Sequence, residues 1–247
     1  MINDYKKYKM NHKEWIICML KYLVVLLGIS YLFFDNLYMI ILLCPLLIFY
    51  VKQEISDKER KRLKRLNLEY KEMIMSVASA LHAGYSVENA FKNALNDMQL
   101  IYPEGSYIET ELRVIVRGLD NNISIEDLIM DFAQRSGLED IYNFGQVLKI
   151  AKRNGGNLVK IITNTAENIS QKIEISQEID TAIAAKKLEQ TIMGIMPFAI
   201  VLYIRVSNQV YISALYHNLI GIVVMLVSLL LTVGTNFWAK KLIQIEV

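Results

Sequence analysis

The sequence predicts an all-α polytopic membrane protein, with four transmembrane helices and a cytoplasmic antiparallel bundle of about six helices. Three observations carry this. The 247 residues are 53% hydrophobic, above an ordinary soluble composition. The apolar excess is concentrated in four runs, Trp15–Phe34, Leu37–Val51, Thr191–Ile204 and Leu219–Trp238. Between the second and third runs apolar residues recur every three or four positions, the spacing of one helix face, and no stretch alternates as a half-buried strand does.

The last run, "LIGIVVMLVSLLLTVGTNFW", holds no charge and is followed by Lys240 and Lys241. It has about the 20 residues that a spanning helix needs, closed by an aromatic and a basic anchor. The first, "WIICMLKYLVVLLGISYLFF", carries one charge, Lys21, whose long stem lets the ammonium reach back to the headgroups. It continues without a small-residue cleavage site into the second apolar run, and so reads as a retained helix, not a signal peptide. The two shorter runs contain Pro45 and Pro197, which in a membrane helix predict kinks. Asp35-Asn36 makes the first two a tight hairpin.

Basic residues near helix ends stay on the cytoplasmic side. The N-terminal tail "MINDYKKYKMNHKE" has four lysines, "KQEISDKERKRLKRL" follows the second run, and Lys240 and Lys241 follow the fourth. The connection "RVSNQVYISALYHN" has only Arg205. This predicts a cytoplasmic tail 1–14, a transmembrane hairpin 15–51, a cytoplasmic helical domain 52–190, a third span 191–206, an extracytoplasmic loop 207–218, a fourth span 219–239 and a cytoplasmic tail 240–247. Both termini are then cytoplasmic in a multi-pass protein of the cell membrane. The middle region holds 19 Lys+Arg against 21 Asp+Glu, without the basic excess of a nucleic-acid-binding domain. The run "KERKRLKRL" reads as a juxtamembrane belt on anionic lipid.

Within the middle region the first stripe, Leu66, Tyr70, Met73, Val77 and Leu81, ends at "HAGYS", where Gly84 suits a left-handed helix end and Ser86 a helix cap. The second carries Val87, Ala90, Phe91, Ala94, Leu95 and Met98. The third, Ile108, Leu112, Ile115 and Val116, is expected to stop near Gly118. Ser124 and Asp127 form a variant capping box for a fourth helix with Ile125, Leu128, Ile129 and Phe132. The fifth holds Ile141, Phe144, Leu148 and Ala151 and ends at Asn154-Gly155-Gly156. Asn157 caps a long sixth helix running toward the third span. "GYSVENAFKNA", "NNISIEDLIMDFA" and "GGNLVKIITNTA" echo one another as turn residue, polar cap and apolar stripe.

The sequence offers no catalytic, cofactor-binding or metal site. Gly155-Gly156 lacks the spacing and the preceding strand of a phosphate-binding loop, and reads as a reversal between two helices. His12, His82 and His217 are scattered over a tail, a bundle helix and an outer loop, and Cys18 and Cys44 have no ligand spacing around them. Acidic pairs such as Glu126-Asp127 and Glu139-Asp140 fall at helix starts, where they favour the helix dipole. The spans contain no aspartate for a proton relay.

The stretches "SALHAGYSVENAFKNA", "GLDNNISIEDLIMDFAQRSG" and "LKIAKRNGGNLVKIITNTAENI", followed by a proline-bearing apolar helix and a last span, resemble the type II secretion system F family. The nearest likeness is to the tight-adherence (Tad) pilus branch, TadB or its sister TadC, and covers about Leu66 to Val247. The resemblance implies a non-enzymatic platform without cofactor. Its cytoplasmic six-helix bundle would couple to a hexameric secretion ATPase, and its membrane part would pair with a sister platform protein and guide pilin subunits into a filament, as a homo- or hetero-oligomer among membrane lipids and without nucleic acid. Under it Gly84, Gly118, Asn154, Gly155 and Gly156 set the bundle turns, and Arg117, Arg135, Lys152 and Arg153 meet the ATPase. A sensor or transporter with the same bundle is the other reading of the pattern.

Overall fold

A computed structural model describes Tyr5 and residues 12–34, 45–154, 158–208, 216 and 218–245. Among them are eight helices: α1 (His12–Phe34), α2 (Pro45–His82), α3 (Val87–Ile101), α4 (Tyr107–Asp120), α5 (Ile125–Ser136), α6 (Glu139–Asn154), α7 (Leu158–Ser207) and α8 (Leu219–Ile245). No strand occurs among the described residues. The all-α expectation therefore holds.

Among the described residues three helical stretches are long and apolar enough to cross a membrane, Lys13–Phe34, Val159–Ser207 and Ile220–Ala239. The second predicted span falls mostly on residues 35–44, outside those described, and Pro45 stands at the first described position of α2. Pro197 lies inside α7, which continues to Ser207. The expected boundaries at 51/52 and 190/191 correspond to no break in helix, because α2 and α7 each run on through them.

The chain divides into two compact units, one of Met1–Lys9 with Ser56–Ile175 and one of Met10–Ile55 with Ser176–Val247. The first has a continuous apolar core made by the stripes read from the sequence. Leu66, Tyr70, Met73 and Val77 of α2 meet Phe91 and Met98 of α3, Ile108 and Leu112 of α4, Phe132 of α5, Phe144 of α6 and Ile162 of α7. The rings of Tyr70 and Phe132 cross at 6.3 Å between centroids, a favoured edge-to-face distance.

The helix starts show one repeated device. Gly84 is left-handed (φ 91°) and the Tyr85 and Gly84 amides donate to Ala80 and Leu81 carbonyls. Such a pairing closes the orphan carbonyls at the end of α2. Ser86 then accepts from the Asn89 amide to open α3. After α4 the same part is played by Asn122 (φ 60°), with Ile123 and Asn122 amides on Gly118 and Leu119 carbonyls. Ser124 caps α5 by accepting from the Asp127 amide, as expected, and its hydroxyl donates to the Asp127 carboxylate at 2.6 Å.

In the second unit, Tyr22, Leu26, Phe33 and Phe34 of α1, Met225 and Leu229 of α8 and Tyr216 form a buried cluster, with Phe198, Val201 and Ile204 of α7 packed against it. The Arg205 guanidinium lies 3.8 Å from the centre of the Tyr31 ring and donates to the Tyr31 carbonyl. Tyr216 donates to the Leu32 carbonyl. These contacts satisfy a cation and a phenol next to an apolar cluster.

Candidate functional site: buried charges and close helix contacts of the bundle

The first unit buries carboxylates that belong to helix faces otherwise apolar. Glu111 follows Ile108 by three positions and precedes Ile115 by four, so it shares their face. It is 1% exposed. Arg135 at the end of α5 grips it with both η nitrogens, at 2.7 and 2.6 Å, while its ε nitrogen bonds Asp131 at 2.8 Å. The fork geometry of the guanidinium matches a carboxylate pair by pair. Burial disfavours the charge on Arg135, but the hydrogen bonds to Glu111 and Asp131 outweigh it and its pKa is raised.

Glu69 occupies the corresponding position on α2, between Leu66 and Met73. It accepts from Arg65 at 2.9 Å and from the Ile108 amide at 3.0 Å. A carboxylate from one helix thus satisfies an orphan amide at the start of another. Glu109 accepts from both the ε and η nitrogens of Arg113, from the Gly105 amide at 2.7 Å and from Gln99. Its pKa is held below the ordinary value, first by the Arg113 hydrogen bond and then by that of Gly105. Asp140 of α6 is bonded by Lys172 of α7 at 2.7 Å, and this bond chiefly raises the lysine pKa. Three of these carboxylates, Glu69, Glu109 and Glu111, come from helices α2 and α4 whose stripes the sequence showed. The signal that could have found two of them is a carboxylate standing inside an apolar stripe.

The predicted site residues are placed as follows. Gly84 is the left-handed turn expected. Gly118 is not a turn: it lies within the last turn of α4, and the left-handed residue is Asn122. Gly118 instead permits a close contact, since a Cβ there would stand 2.4 Å from Leu128 Cδ2 of α5. Gly145 does the same for α6 against α5, where a Cβ would meet Met130 Sδ at 2.8 Å. The sequence reading passed over Gly145, which sits inside a helix without a turn signal beside it. Asn154 ends α6, and Gly155 and Gly156 lie outside the described residues.

Of the four basic residues expected on a partner-facing surface, Arg117 is exposed in the last turn of α4. Arg135 is not an exposed charge: its side chain is 14% exposed and committed to Glu111 and Asp131. Lys152 and Arg153 fall in the last turn of α6, and their side chains lie outside the described residues. The basic run before α2's apolar stripe is also partly turned inward. Arg62 lies over the rings of Tyr5 and Tyr107, and Arg65 bonds Glu69. Among the described residues no three of His, Cys, Asp and Glu come together as metal ligands.

In the second unit α7 and α8 flank a groove of about 760 Å³ lined by Gln190, Gly194 and Pro197 on one side and Thr232, Thr235 and Asn236 on the other. Thr232, Thr235 and Asn236 donate back to carbonyls of their own helix. Gln190 donates to the Asn236 carbonyl across the groove at 3.3 Å.

Among the described residues are three apolar helices of spanning length and a helical bundle in which the buried carboxylates Glu69, Glu109, Glu111 and Asp140 each pair with a basic side chain. The model of the type II secretion system protein F family matches residues 73–204, more than half of the chain. The chain belongs to that family. Comparison with curated proteins and with solved structures gives no match.

Proposed function

We propose that this protein is the inner-membrane platform of a pilus or secretion assembly, of the tight-adherence type and nearest to TadB or TadC. The family membership carries the reading. In it the bundle, 52–190, is cytoplasmic and couples to a hexameric secretion ATPase. Four spans, at 15–51 (two), 191–206 and 219–239, hold the chain in the cytoplasmic membrane with both termini inside, beside a sister platform protein and the pilin subunits. The distribution of Lys and Arg supports this orientation. The inward pairing of the bundle's buried charges supports a scaffold that transmits force, since bidentate pairs fix geometry. Gly194, Thr232 and Thr235 in the largely apolar groove between α7 and α8 support helix handling, because small residues let helices approach closely in a bilayer.

The deciding experiment is purification of the full chain from mildly solubilised native membranes with mass spectrometry of what is retained. Co-recovery of a secretion ATPase, a second family member and a small pilin is expected. Recovery of the chain alone, or solute uptake by liposomes holding the purified chain, would set the reading aside.

A further inference from the structure

Tyr5 is fully buried although it belongs to no helix. Its hydroxyl donates to Glu111 at 2.8 Å, its backbone amide donates to the Arg135 carbonyl at 3.1 Å, and its ring crosses that of Tyr107 at 5.9 Å and 87°. The Arg62 guanidinium stands 4.8 Å from the ring centre. Tyr5 therefore touches α2 and α4 through its side chain and α5 through its backbone amide. Arg62 Nε is buried there with no hydrogen-bond partner among the described residues, and such a donor is tolerated where its charge is met by aromatic faces.

We propose that Arg62, Tyr107, Glu111 and Arg135 form a tyrosine-binding socket whose resident ligand is the chain's own Tyr5, which latches α2, α4 and α5 together. The chemistry is specific to a phenol. The Glu111 carboxylate takes the hydroxyl hydrogen, and the ring meets a cation on one side and an aromatic edge on another. A phenylalanine would leave the carboxylate one bond short, and a charged side chain would meet either Glu111 or the arginines. Among the described residues the hold is one side chain and one amide. Two of the participants, Tyr5 and Arg62, precede Met73, where the family match begins. The latch stands apart from the platform reading.

The test uses the full chain in detergent or nanodiscs and amide hydrogen exchange over α4 and α5. Tyr5→Ala is expected to speed exchange at the start of α4 and the end of α5 by at least about tenfold, because a buried aromatic packed on α2 and α4, and bonded to the carboxylate that Arg135 of α5 grips, is lost. Tyr5→Phe is expected to fall between, at roughly threefold, since one hydrogen bond goes while Arg135 still holds Glu111. A synthetic peptide of residues 1–9 added to the Tyr5→Ala protein restores protection at about millimolar concentration, the range that replaces a short tether. The same peptide with Tyr8→Ala restores it equally, and the peptide with Tyr5→Ala does not. Wild-type exchange rates in Tyr5→Ala, no protection from the wild-type peptide, or equal protection from the Tyr5→Ala peptide would each overturn the latch. If Tyr5→Ala does not fold, Tyr5→Phe decides: an unchanged rate overturns it.

Discussion

Arg135 holds Glu111 through both carboxylate oxygens, at 2.7 and 2.6 Å, with Glu111 1% exposed. Each charge is tolerable in the bundle because the other is there. Without Arg135 the buried Glu111 carboxylate keeps only the Tyr5 hydroxyl, and without Glu111 the guanidinium keeps Asp131; breaking a buried pair in this way costs up to about 3–5 kcal/mol. Arg135→Ala and Glu111→Ala are therefore each expected to lower the denaturation midpoint of the bundle strongly. Arg135→Lys should rescue little, since a point ammonium cannot reproduce the two parallel bonds. Replacing both with apolar residues of similar volume, Glu111→Leu with Arg135→Met, should recover most of the loss. Equal stability of Arg135→Lys and wild type, by thermal or denaturant unfolding, would contradict the pair's geometry as the source.

Gly118 and Leu128 give a prediction of sign. In an open helix Gly→Ala gains about 1 kcal/mol. At Gly118 the new methyl would stand 2.4 Å from Leu128 Cδ2, so the leucine must move out of its packed place. Gly118→Ala is expected to destabilise the wild-type bundle, by about 1–3 kcal/mol for overpacking less the helix gain. In a Leu128→Ala background the clash is gone and the same change should stabilise. A double-mutant cycle reads the reversal directly, and additive effects would show that α4 and α5 do not meet there.

Glu109 sets an acid limit. Its pKa lies below the ordinary 4.5, owing first to Arg113 and then to the Gly105 amide. A carboxylate whose folded pKa is depressed contributes stability that is fully present above the unfolded value and is lost as pH falls through the folded one. Below pH 4.5, then, part of the bundle's stability should disappear, and Glu109→Gln should flatten that limb of the stability profile while lowering stability at neutral pH. Unfolding measured between pH 2 and 7 checks this. An acid limb of unchanged slope in Glu109→Gln would assign it to other groups. At the alkaline end the opposite sign applies to Lys172, whose raised pKa gives stability that is present below its ordinary 10.5 and lost as pH climbs through the folded value.

The apolar stripes and the Ser86 and Ser124 caps were legible because helix periodicity and capping are local properties of sequence. The buried carboxylates were legible only in part. Glu69 and Glu111 interrupt apolar stripes, but the Ile108 amide that Glu69 accepts from and the Arg135 that grips Glu111 lie on other helices, 39 and 24 positions away, and periodicity carries no information about such pairing. Arg135 looked like a surface charge for the same reason. The family resemblance gives Gly118 a turn role, and the third helix does end close by, at Asp120. In the structure Asn122 supplies the left-handed residue and Gly118 supplies space, and composition does not separate these two uses of a small residue. Tyr5 sits in a polar, lysine-rich stretch with no period to place it.

Gly84 and Asn122 test the turns themselves. A Cβ at Gly84 meets nothing within 4 Å, so the cost of a side chain there is the backbone conformation alone. Gly84→Ala is expected to cost about 1–2 kcal/mol, the penalty of a left-handed L-residue, and Gly84→Asn less. At Asn122 the direction reverses. Asn122→Gly should be neutral or mildly stabilising, and Asn122→Val should destabilise at least as much as Gly84→Ala, because a β-branched residue at φ 60° is a steric outlier. Equilibrium unfolding of the four variants gives the order, and a tolerated valine would contradict the backbone assigned to the α4–α5 turn.

Arg117 separates partner binding from folding, which Arg135 cannot do. It is exposed in the last turn of α4, where a cation favours the helix dipole by about 0.3–1 kcal/mol. Arg117→Glu should therefore shift bundle stability by no more than about 1 kcal/mol. If the ATPase docks on this face, charge reversal should cut its co-purification with the full chain by tenfold or more, since a like-charge contact at an interface costs several kcal/mol. Arg135→Ala would lower co-purification as well, but together with stability, and is the control for loss through unfolding. Full ATPase recovery by a stable Arg117→Glu protein would move the docking face away from the end of α4, to the last turn of α6 with Lys152 and Arg153 or elsewhere on the bundle.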